Sequence, residues 1–140
     1  MKGKFFLDTN IFVYSFDANF PTKSGRAKQL IRDAVATRKG VVSYQVVQEF
    51  LNVALRRFDQ PFTATEAQQY LSTIFRPLLA VHSSQALFTE ALQLTDSYRL
   101  SWYDSLVVAA ALASGCDTLY SEDLQHGQKF GTLQIKNPFL

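Results

Sequence analysis

Short apolar runs that favour β-strands alternate with longer helical segments along this chain. The predicted strands are Lys4–Leu7, Val41–Ser43, Leu78–Val81, Thr118–Tyr120 and Leu133–Ile135. The predicted helices are Pro21–Arg38, Tyr44–Phe58, Thr63–Phe75, Gln85–Tyr98 and Ser101–Ser114, with Gly40, Pro77 and Gly115 as stop signals. Strands separated by helices need right-handed crossover connections, which make neighbouring strands parallel. The pattern therefore predicts an α/β fold whose mostly parallel sheet is covered by helices on both faces.

Length and composition exclude several classes of protein. The chain has 140 residues, of which 47% are hydrophobic and 19% charged, so residues 1–140 are expected to form one folded domain. The only cysteine, Cys116, excludes a disulfide scaffold and a cysteine-based zinc site. The longest uncharged apolar stretch, Leu106–Ala113, is far shorter than the roughly 20 residues that span a bilayer. Since the start of the chain also has no signal-peptide pattern, we expect a cytoplasmic protein without a membrane partner.

Two acidic residues follow predicted strands. Asp8 comes directly after Lys4–Leu7, and Asp123 comes shortly after Thr118–Tyr120. Functional sites in open parallel sheets form outside the carboxyl ends of the strands. Each acid also has an ordinary explanation, because Asp often occupies the turn after a strand.

Two more acidic residues lie on predicted helices. Glu49 belongs to a polar stripe with Gln45 and Asn52 on an otherwise apolar helix, and a solvated stripe would explain this pattern too. Asp104 is the third residue after Ser101, where Ser-x-x-Asp resembles a capping box. The helix that follows is so apolar that we expect it to be buried and to begin near the carboxyl edge of the sheet.

Taken together, these four carboxylates are predicted to meet at one edge of the sheet. Clustered negative charges repel one another unless a cation lies among them, and carboxylates without His or Cys favour Mg²⁺ or Mn²⁺. Such an ion can orient a phosphodiester and lower the pKa of the attacking water. With these four acids set aside, 14 basic residues face 8 of the 12 acidic ones, a balance of +6. A basic body suits a polyanionic substrate, although a solvated helix explains the basic segment 23–39 as well.

Four sequence blocks each carry one of these acids. They are L-D-T-N-I-F-V-Y (Leu7–Tyr14), S-Y-Q-V-V-Q-E-F (Ser43–Phe50), W-Y-D-S-L-V-V-A-A-A (Trp102–Ala111) and L-Y-S-E-D-L-Q-H-G (Leu119–Gly127). In this order, and over nearly the whole chain, they resemble PIN-domain ribonucleases of the VapC-like type, which are toxins of bacterial type II toxin–antitoxin pairs. The resemblance implies a three-layer α/β/α sandwich with a central, mostly parallel sheet. It also implies a Mg²⁺- or Mn²⁺-dependent endoribonuclease.

The resemblance gives individual residues a role. The catalytic and metal-binding acids would be Asp8, Glu49, Asp104 and Asp123. The supporting polar groups would be Thr9 or Asn10, and Ser121. Glu122 points elsewhere in the usual family arrangement and is therefore excluded from the acidic set.

The resemblance also implies partners. RNA would be the substrate, a homodimer would be the assembly, and a cognate antitoxin protein would inhibit the enzyme. Ile11–Phe20 contains four aromatic residues and is a candidate antitoxin contact, with packing at the sheet edge as the alternative. Trp102, next to Tyr103, could stack on a base, although packing at the start of a buried helix also explains it.

Other functions compete with the toxin hypothesis. A PIN-type nuclease of RNA maturation would need the same residues, and only the neighbouring gene would separate it from a toxin. A non-catalytic RNA- or protein-binding module would not need the complete set of acids. A phosphatase of the haloacid-dehalogenase type needs a second Asp two residues after the first, where this chain has Asn10, and is rejected.

Overall fold

A six-stranded sheet forms the centre of the protein. The structure is a computed structural model that describes residues 3–140. The strands are β1 (Phe5–Leu7), β2 (Gly40–Ser43), β3 (Leu79–Val81), β4 (Thr118–Tyr120), β5 (Lys129–Phe130) and β6 (Leu133–Lys136). Their order across the sheet is β3-β2-β1-β4-β6-β5. Neighbouring strands run parallel except β5, which is antiparallel to β6. The prediction of a mostly parallel α/β sandwich is confirmed.

Helices cover the sheet and fill the crossover connections. They are α1 (Thr9–Tyr14), α2 (Pro21–Thr37), α3 (Tyr44–Arg56), α4 (Ala64–Tyr70), α5 (Arg76–Leu78), α6 (Gln85–Tyr98) and α7 (Trp102–Ala113). A π-helical turn, Leu71–Phe75, joins α4 to α5. Helices α1, α2 and α3 pack together, while α6 packs along α7, which contacts β2 and β4. Within residues 3–140, no helix has the length and apolarity that a membrane crossing requires.

Helix α7 is buried, as its apolar sequence predicts. Every residue from Ser105 to Ala111 is buried. The Thr95 hydroxyl of α6 donates a hydrogen bond of 2.7 Å to the Ser105 hydroxyl, which satisfies this buried polar group. This packing fixes the start of α7, where Asp104 lies, relative to the sheet.

Gly40 does not act as the predicted helix stop. Helix α2 ends at Thr37, Arg38 takes the left-handed conformation with φ 60°, and Gly40 already belongs to β2. A Cβ atom at Gly40 would lie 2.1 Å from the Cβ of Ala34. The glycine is therefore needed for the close approach of α2 to β2, and not for a turn.

Pro77 does not end the helical segment that comes before it. The π-helical turn and α5 continue that segment to Leu78. Pro77 lies just after the π-helical turn, one residue before the end of the helical segment. Thr63 precedes α4 as its N-cap, with Glu66 completing a capping box.

Two short elements have no counterpart in the sequence prediction. Helix α1 follows β1 directly where a turn is expected, and β5 pairs with β6 in a stretch where no strand is predicted. Six and two residues are too few to show a helical or strand periodicity. The position of α1 matters for function, because Asp8 is its N-cap.

Candidate active site

Asp8 lies between β1 and α1 and is 6% exposed. Its backbone N–H donates to the carbonyl oxygen of Tyr120 at 3.1 Å, which keeps β1 and β4 paired up to this point. Its carboxylate accepts two hydrogen bonds, at Oδ1 from the Thr9 N–H (2.7 Å) and at Oδ2 from the Ser121 hydroxyl (2.8 Å). Both oxygens of Asp8 are thus held in position by the first residue of α1 and the end of β4.

Burial raises the pKa of the Asp8 carboxyl to about 6. The hydrogen bonds from Ser121 and Thr9 act in the opposite direction, while the negative charges of Asp123 and Glu49 raise the pKa further. Near neutral pH, ionisation of the buried Asp8 carboxyl therefore lowers the stability of the folded protein. A neighbouring cation would offset this effect.

Ser121 connects Asp8 to Asp123. It is 0% exposed, and its hydroxyl oxygen accepts the backbone N–H of Asp123 at 3.2 Å while donating to Asp8. Asp123 is more exposed, yet partial burial and the charge of Asp104 raise the pKa of its carboxyl. Asp123, shortly after β4, thus lies near Asp8 on one side and near Asp104 on the other.

Glu49 reaches the same edge from α3. Its Oε1 accepts a hydrogen bond from Gln45 Nε2 at 3.1 Å and a longer one from Thr9 Oγ1 at 3.4 Å. Thr9 therefore links the acid on α3 to the start of α1. Of the supporting residues predicted from sequence, Thr9 and Ser121 both contact an acidic side chain.

Only half of the predicted capping box forms at Asp104, because Ser101 is the N-cap and the Asp104 carboxylate takes no part in it. The backbone N–H of Asp104 donates to the Ser101 hydroxyl at 3.2 Å, in the first turn of α7. This cap uses the backbone of Asp104 and not its carboxylate, so it leaves a role for the side chain in the site. Asp104 is half-buried and is close enough to Asp123 to shift the pKa of that carboxyl.

The four predicted acids lie in one region without sharing a single coordination shell. Among residues 3–140, no three Asp, Glu, His or Cys side chains lie close enough together to hold a metal ion. The closest relationships are pairwise: Asp8 with Glu49 and with Asp123, and Asp123 with Asp104.

The donor chemistry of the region nevertheless fits a hard divalent cation. All four acids offer carboxylate oxygens, the ligands that Mg²⁺ and Mn²⁺ prefer. Asn10 adds an amide whose Oδ1 and Nδ2 are buried and make no hydrogen bond within the described residues. This amide still lies near enough to Asp123 to oppose the rise in the pKa of that carboxyl. An unpartnered buried amide needs an explanation, and an ion or water among the acids would provide one.

A family model for the PIN domain matches residues 5–129. The chain belongs to the PIN-domain family. This membership agrees with the resemblance drawn from the four sequence blocks. No curated protein sequence matches the chain.

Solved structures with the fold of this PIN domain include toxins of toxin–antitoxin systems. A toxin–antitoxin complex from Klebsiella pneumoniae has a TM-score of 0.67 and 16% identity, covering 95% of this chain and 96% of that chain. VapC20 of Mycobacterium tuberculosis, a sarcin–ricin loop cleaving toxin, has a TM-score of 0.62 and 19% identity, covering 84% and 88%. VapBC2 of Rickettsia felis, bound to a promoter DNA fragment, has a TM-score of 0.59 and 17% identity, covering 94% and 96%. At these identities the likeness shows a shared VapC-like fold.

Glu122 of the PIN domain is directed away from the four acids. Its Oε1 accepts the Tyr14 hydroxyl at 2.6 Å, and its Oε2 pairs with the Lys23 ammonium at 2.6 Å. The Lys23 ammonium also lies over the rings of Tyr14 and Phe139. These contacts tie α1, α2 and the C-terminal segment to the end of β4. The sequence could not predict them, because the partners of Glu122 are 108 and 99 positions away.

Two cavities are lined by helices that carry or follow the acids. The larger, about 750 Å³, lies between the end of α1 and the segment after α3, and none of the four acids lines it. Phe16, Phe58 and Phe62 contribute to its wall together with charged residues of both signs. The smaller, about 230 Å³, is lined by the starts of α3 and α7, including Gln45 and Tyr103. It therefore adjoins the helices that carry Glu49 and Asp104.

Proposed function

We propose that this PIN domain, residues 1–140, is a metal-dependent endoribonuclease that hydrolyses RNA phosphodiester bonds. The observation that carries the proposal is that four carboxylates from separate elements lie in neighbouring pairs at the carboxyl edge of the sheet. A buried carboxylate whose pKa is raised to about 6 is unfavourable for folding. Groups with strongly shifted pKa values are concentrated at functional sites.

Mg²⁺ or Mn²⁺ is the proposed cofactor, with Asp8, Glu49, Asp104 and Asp123 as its ligands and as the catalytic acids. When bound, the ion would orient the scissile phosphate and lower the pKa of the attacking water. The buried Asn10 amide near Asp123 is a further polar group beside these acids.

The remaining polar residues are proposed to position these acids. Ser121 and the Thr9 backbone fix the two oxygens of Asp8. Gln45 and the Thr9 hydroxyl direct Glu49 toward the same region. Groups that orient ligands in this way commonly matter almost as much as the ligands themselves.

We further propose that the domain is the toxin of a type II toxin–antitoxin pair. The Klebsiella pneumoniae neighbour is a toxin–antitoxin complex, and the Mycobacterium tuberculosis neighbour is a toxin that cleaves the sarcin–ricin loop. A cytoplasmic location, a homodimer and a cognate antitoxin belong to the same proposal. A nuclease of RNA maturation has the same site and stays the alternative.

Half of the candidate antitoxin contact, Ile11–Phe20, is available to a partner. Ile11 and Phe12 are buried in the core, which is the packing alternative. Phe16 and Phe20 are 44% and 49% exposed, and Phe16 lines the larger cavity. We therefore assign the antitoxin contact to this second half of the stretch.

The test is cleavage of total RNA by the wild type in Mg²⁺, in Mn²⁺ and in EDTA. We expect discrete products that depend on the metal and are lost in Asp8→Asn and Asp104→Asn. Asp33→Asn is a matched control, because Asp33 is exposed near the end of α2, at the opposite edge of the sheet. Cleavage at the wild-type rate by either site variant would disprove the proposed site. RNA binding without cleavage in either metal would favour a non-catalytic module.

A further inference from the structure

Exposed aromatic side chains line the smaller cavity beside the acids. We call this cavity the aromatic cleft, and its rings belong to Tyr44, His82, Phe88, Trp102 and Tyr103. Two of its walls belong to helices that carry acids of the candidate active site. Tyr44 opens α3, the helix of Glu49, and Tyr103 directly precedes Asp104 on α7.

The rings of the cleft differ in how they are packed. Trp102 is half-buried and makes an edge-to-face contact with Phe88, with centroids 5.6 Å apart. The rings of Tyr44 and His82 are close to parallel, 4.5 Å apart with an angle of 34° between planes. Tyr103 is 64% exposed, so most of its ring is available to a partner. Packing thus accounts for Trp102 and leaves Tyr103 without a structural explanation.

The polar groups of the cleft indicate the chemistry of its ligand. The described lining residues include the amides of Gln45 and Gln48 and the hydroxyls of Ser43 and Ser83, but no Asp, Glu, Lys or Arg. A flat, uncharged group with a hydrogen-bonding edge matches this combination of rings and amides. Its volume of about 230 Å³ has room for one nucleobase.

The larger cavity has a different chemistry. Its wall carries Asp17, Asp59 and Glu66 against a single basic residue, Arg57. This excess of acidic groups would repel the phosphates of RNA, and α7, the helix of Asp104, contributes no residue to the wall. The aromatic cleft is therefore the better match for a part of the substrate.

We propose that the aromatic cleft binds one unpaired nucleobase of the RNA substrate beside the scissile phosphate, with Tyr103 stacked on the base. This inference rests on the proposed nuclease function and adds a base-binding site to it. A base inside a duplex has both faces covered by its neighbours, whereas an unpaired base can be turned out onto an aromatic ring. Tyr103 is therefore expected to contact an unpaired base and not a paired one.

The single tryptophan of the chain provides the test, because Trp102 lines the cleft. The wild type is titrated in EDTA, where the proposed cleavage is blocked, with a short single-stranded oligoribonucleotide and with a duplex of the same sequence. We expect saturable quenching of Trp102 fluorescence by the single strand and much weaker quenching by the duplex. Tyr103→Ala should weaken the binding of the single strand by about tenfold, whereas Tyr103→Phe should retain it.

Tyr98→Ala is the matched control for loss of an exposed tyrosine. Tyr98 is 46% exposed on α6, does not line the cleft, and packs on Phe130 at 4.7 Å. Sedimentation velocity on the same samples reports whether Tyr103→Ala changes the oligomeric state.

The outcomes separate the cleft from the nuclease. Equal affinities for wild type and Tyr103→Ala, or no quenching by any oligoribonucleotide, would overturn base binding even if the wild type cleaves RNA in Mg²⁺. Quenching that Tyr103→Ala weakens, without cleavage by the wild type in any metal, would support the cleft and reject the nuclease. A dimer that dissociates in Tyr103→Ala would assign this surface to a second copy of the chain and overturn the proposal.

Discussion

The Ser121 hydroxyl donates a hydrogen bond of 2.8 Å to Asp8, joining the ends of β4 and β1 across 113 positions of sequence. The same hydroxyl oxygen accepts the backbone N–H of Asp123. One buried side chain thus sets the position of two of the proposed metal ligands.

Ser121→Ala should therefore weaken metal use more than it weakens the fold. Loss of the hydroxyl removes one hydrogen bond from the Asp8 carboxylate and one acceptor from Asp123. Loss of such supporting groups commonly costs roughly 10- to 100-fold in metal affinity or activity. The measurement is the RNA cleavage rate as a function of Mn²⁺ concentration. Ser114→Ala is the control, because the Ser114 hydroxyl bonds only to groups at the far end of α7 and just beyond it. An unchanged Mn²⁺ dependence in Ser121→Ala would contradict the positioning role.

Asp8→Asn should stabilise the metal-free protein while abolishing cleavage. The pKa of Asp8 rises from 3.8 to about 6 on folding, so the folded state binds the proton more tightly. This group therefore contributes a stability that is present at acidic pH and is lost as the pH rises from about 4 through 6. A difference of two pKa units corresponds to roughly 3 kcal/mol, and lost hydrogen bonds reduce the gain in Asp8→Asn to about 1–3 kcal/mol.

Urea unfolding in EDTA at pH 7.5 and pH 4.5 measures this effect. The advantage of Asp8→Asn should be large at pH 7.5 and small at pH 4.5, while Asp33→Asn should show no such dependence. Mg²⁺ should stabilise the wild type more than the variant. If Asp8→Asn is less stable than the wild type at pH 7.5, ionised Asp8 does not lower the free energy of unfolding.

The sequence predicts correctly which strands and helices the four acids follow or belong to, because this placement depends on local patterns. Asp8 and Asp123 follow strands, and the carboxyl ends of parallel strands meet at one edge. Glu49 and Asp104 follow from helical periodicity and from an N-cap. These patterns do not predict the distances between the acids. The electrostatic interaction of Asp8 with Asp123, for example, depends on the packing of β1 against β4.

Other features depend on tertiary contacts alone. Trp102 and Tyr103 are adjacent aromatic residues at one helix start, and only the contact of Trp102 with Phe88 distinguishes them. Gly40 similarly looks like a helix stop in sequence, and only the closeness of Ala34 shows its actual role.

Gly40→Ala should destabilise the protein although alanine is the smallest possible addition. The new methyl group would lie 2.1 Å from the Ala34 side chain and 2.7 Å from its Cα, so α2 and β2 would have to separate. Overpacking of this kind costs about 1–3 kcal/mol or more. Gly25→Ala is the matched control on α2, where nothing lies within 4 Å and alanine should add about 0.5–1 kcal/mol of stability. Urea unfolding measures both, and equal effects of the two variants would contradict the close approach.

Adjacent acids at the end of β4 should give opposite results when neutralised. Burial would raise the pKa of Glu122, but hydrogen bonds from Lys23 and Tyr14 outweigh it and lower that pKa. The Glu122 carboxylate therefore has a structural role in its contacts with Lys23 and Tyr14. Glu122→Gln should retain a cleavage rate within about threefold of the wild type. Asp123→Asn should lose at least tenfold, because a proposed metal ligand is removed. The measurement is the cleavage rate of both variants in saturating Mn²⁺, with thermal unfolding as the control for folding. If Glu122→Gln folds but loses most of its cleavage activity while Asp123→Asn keeps it, Glu122 and not Asp123 would be the metal ligand.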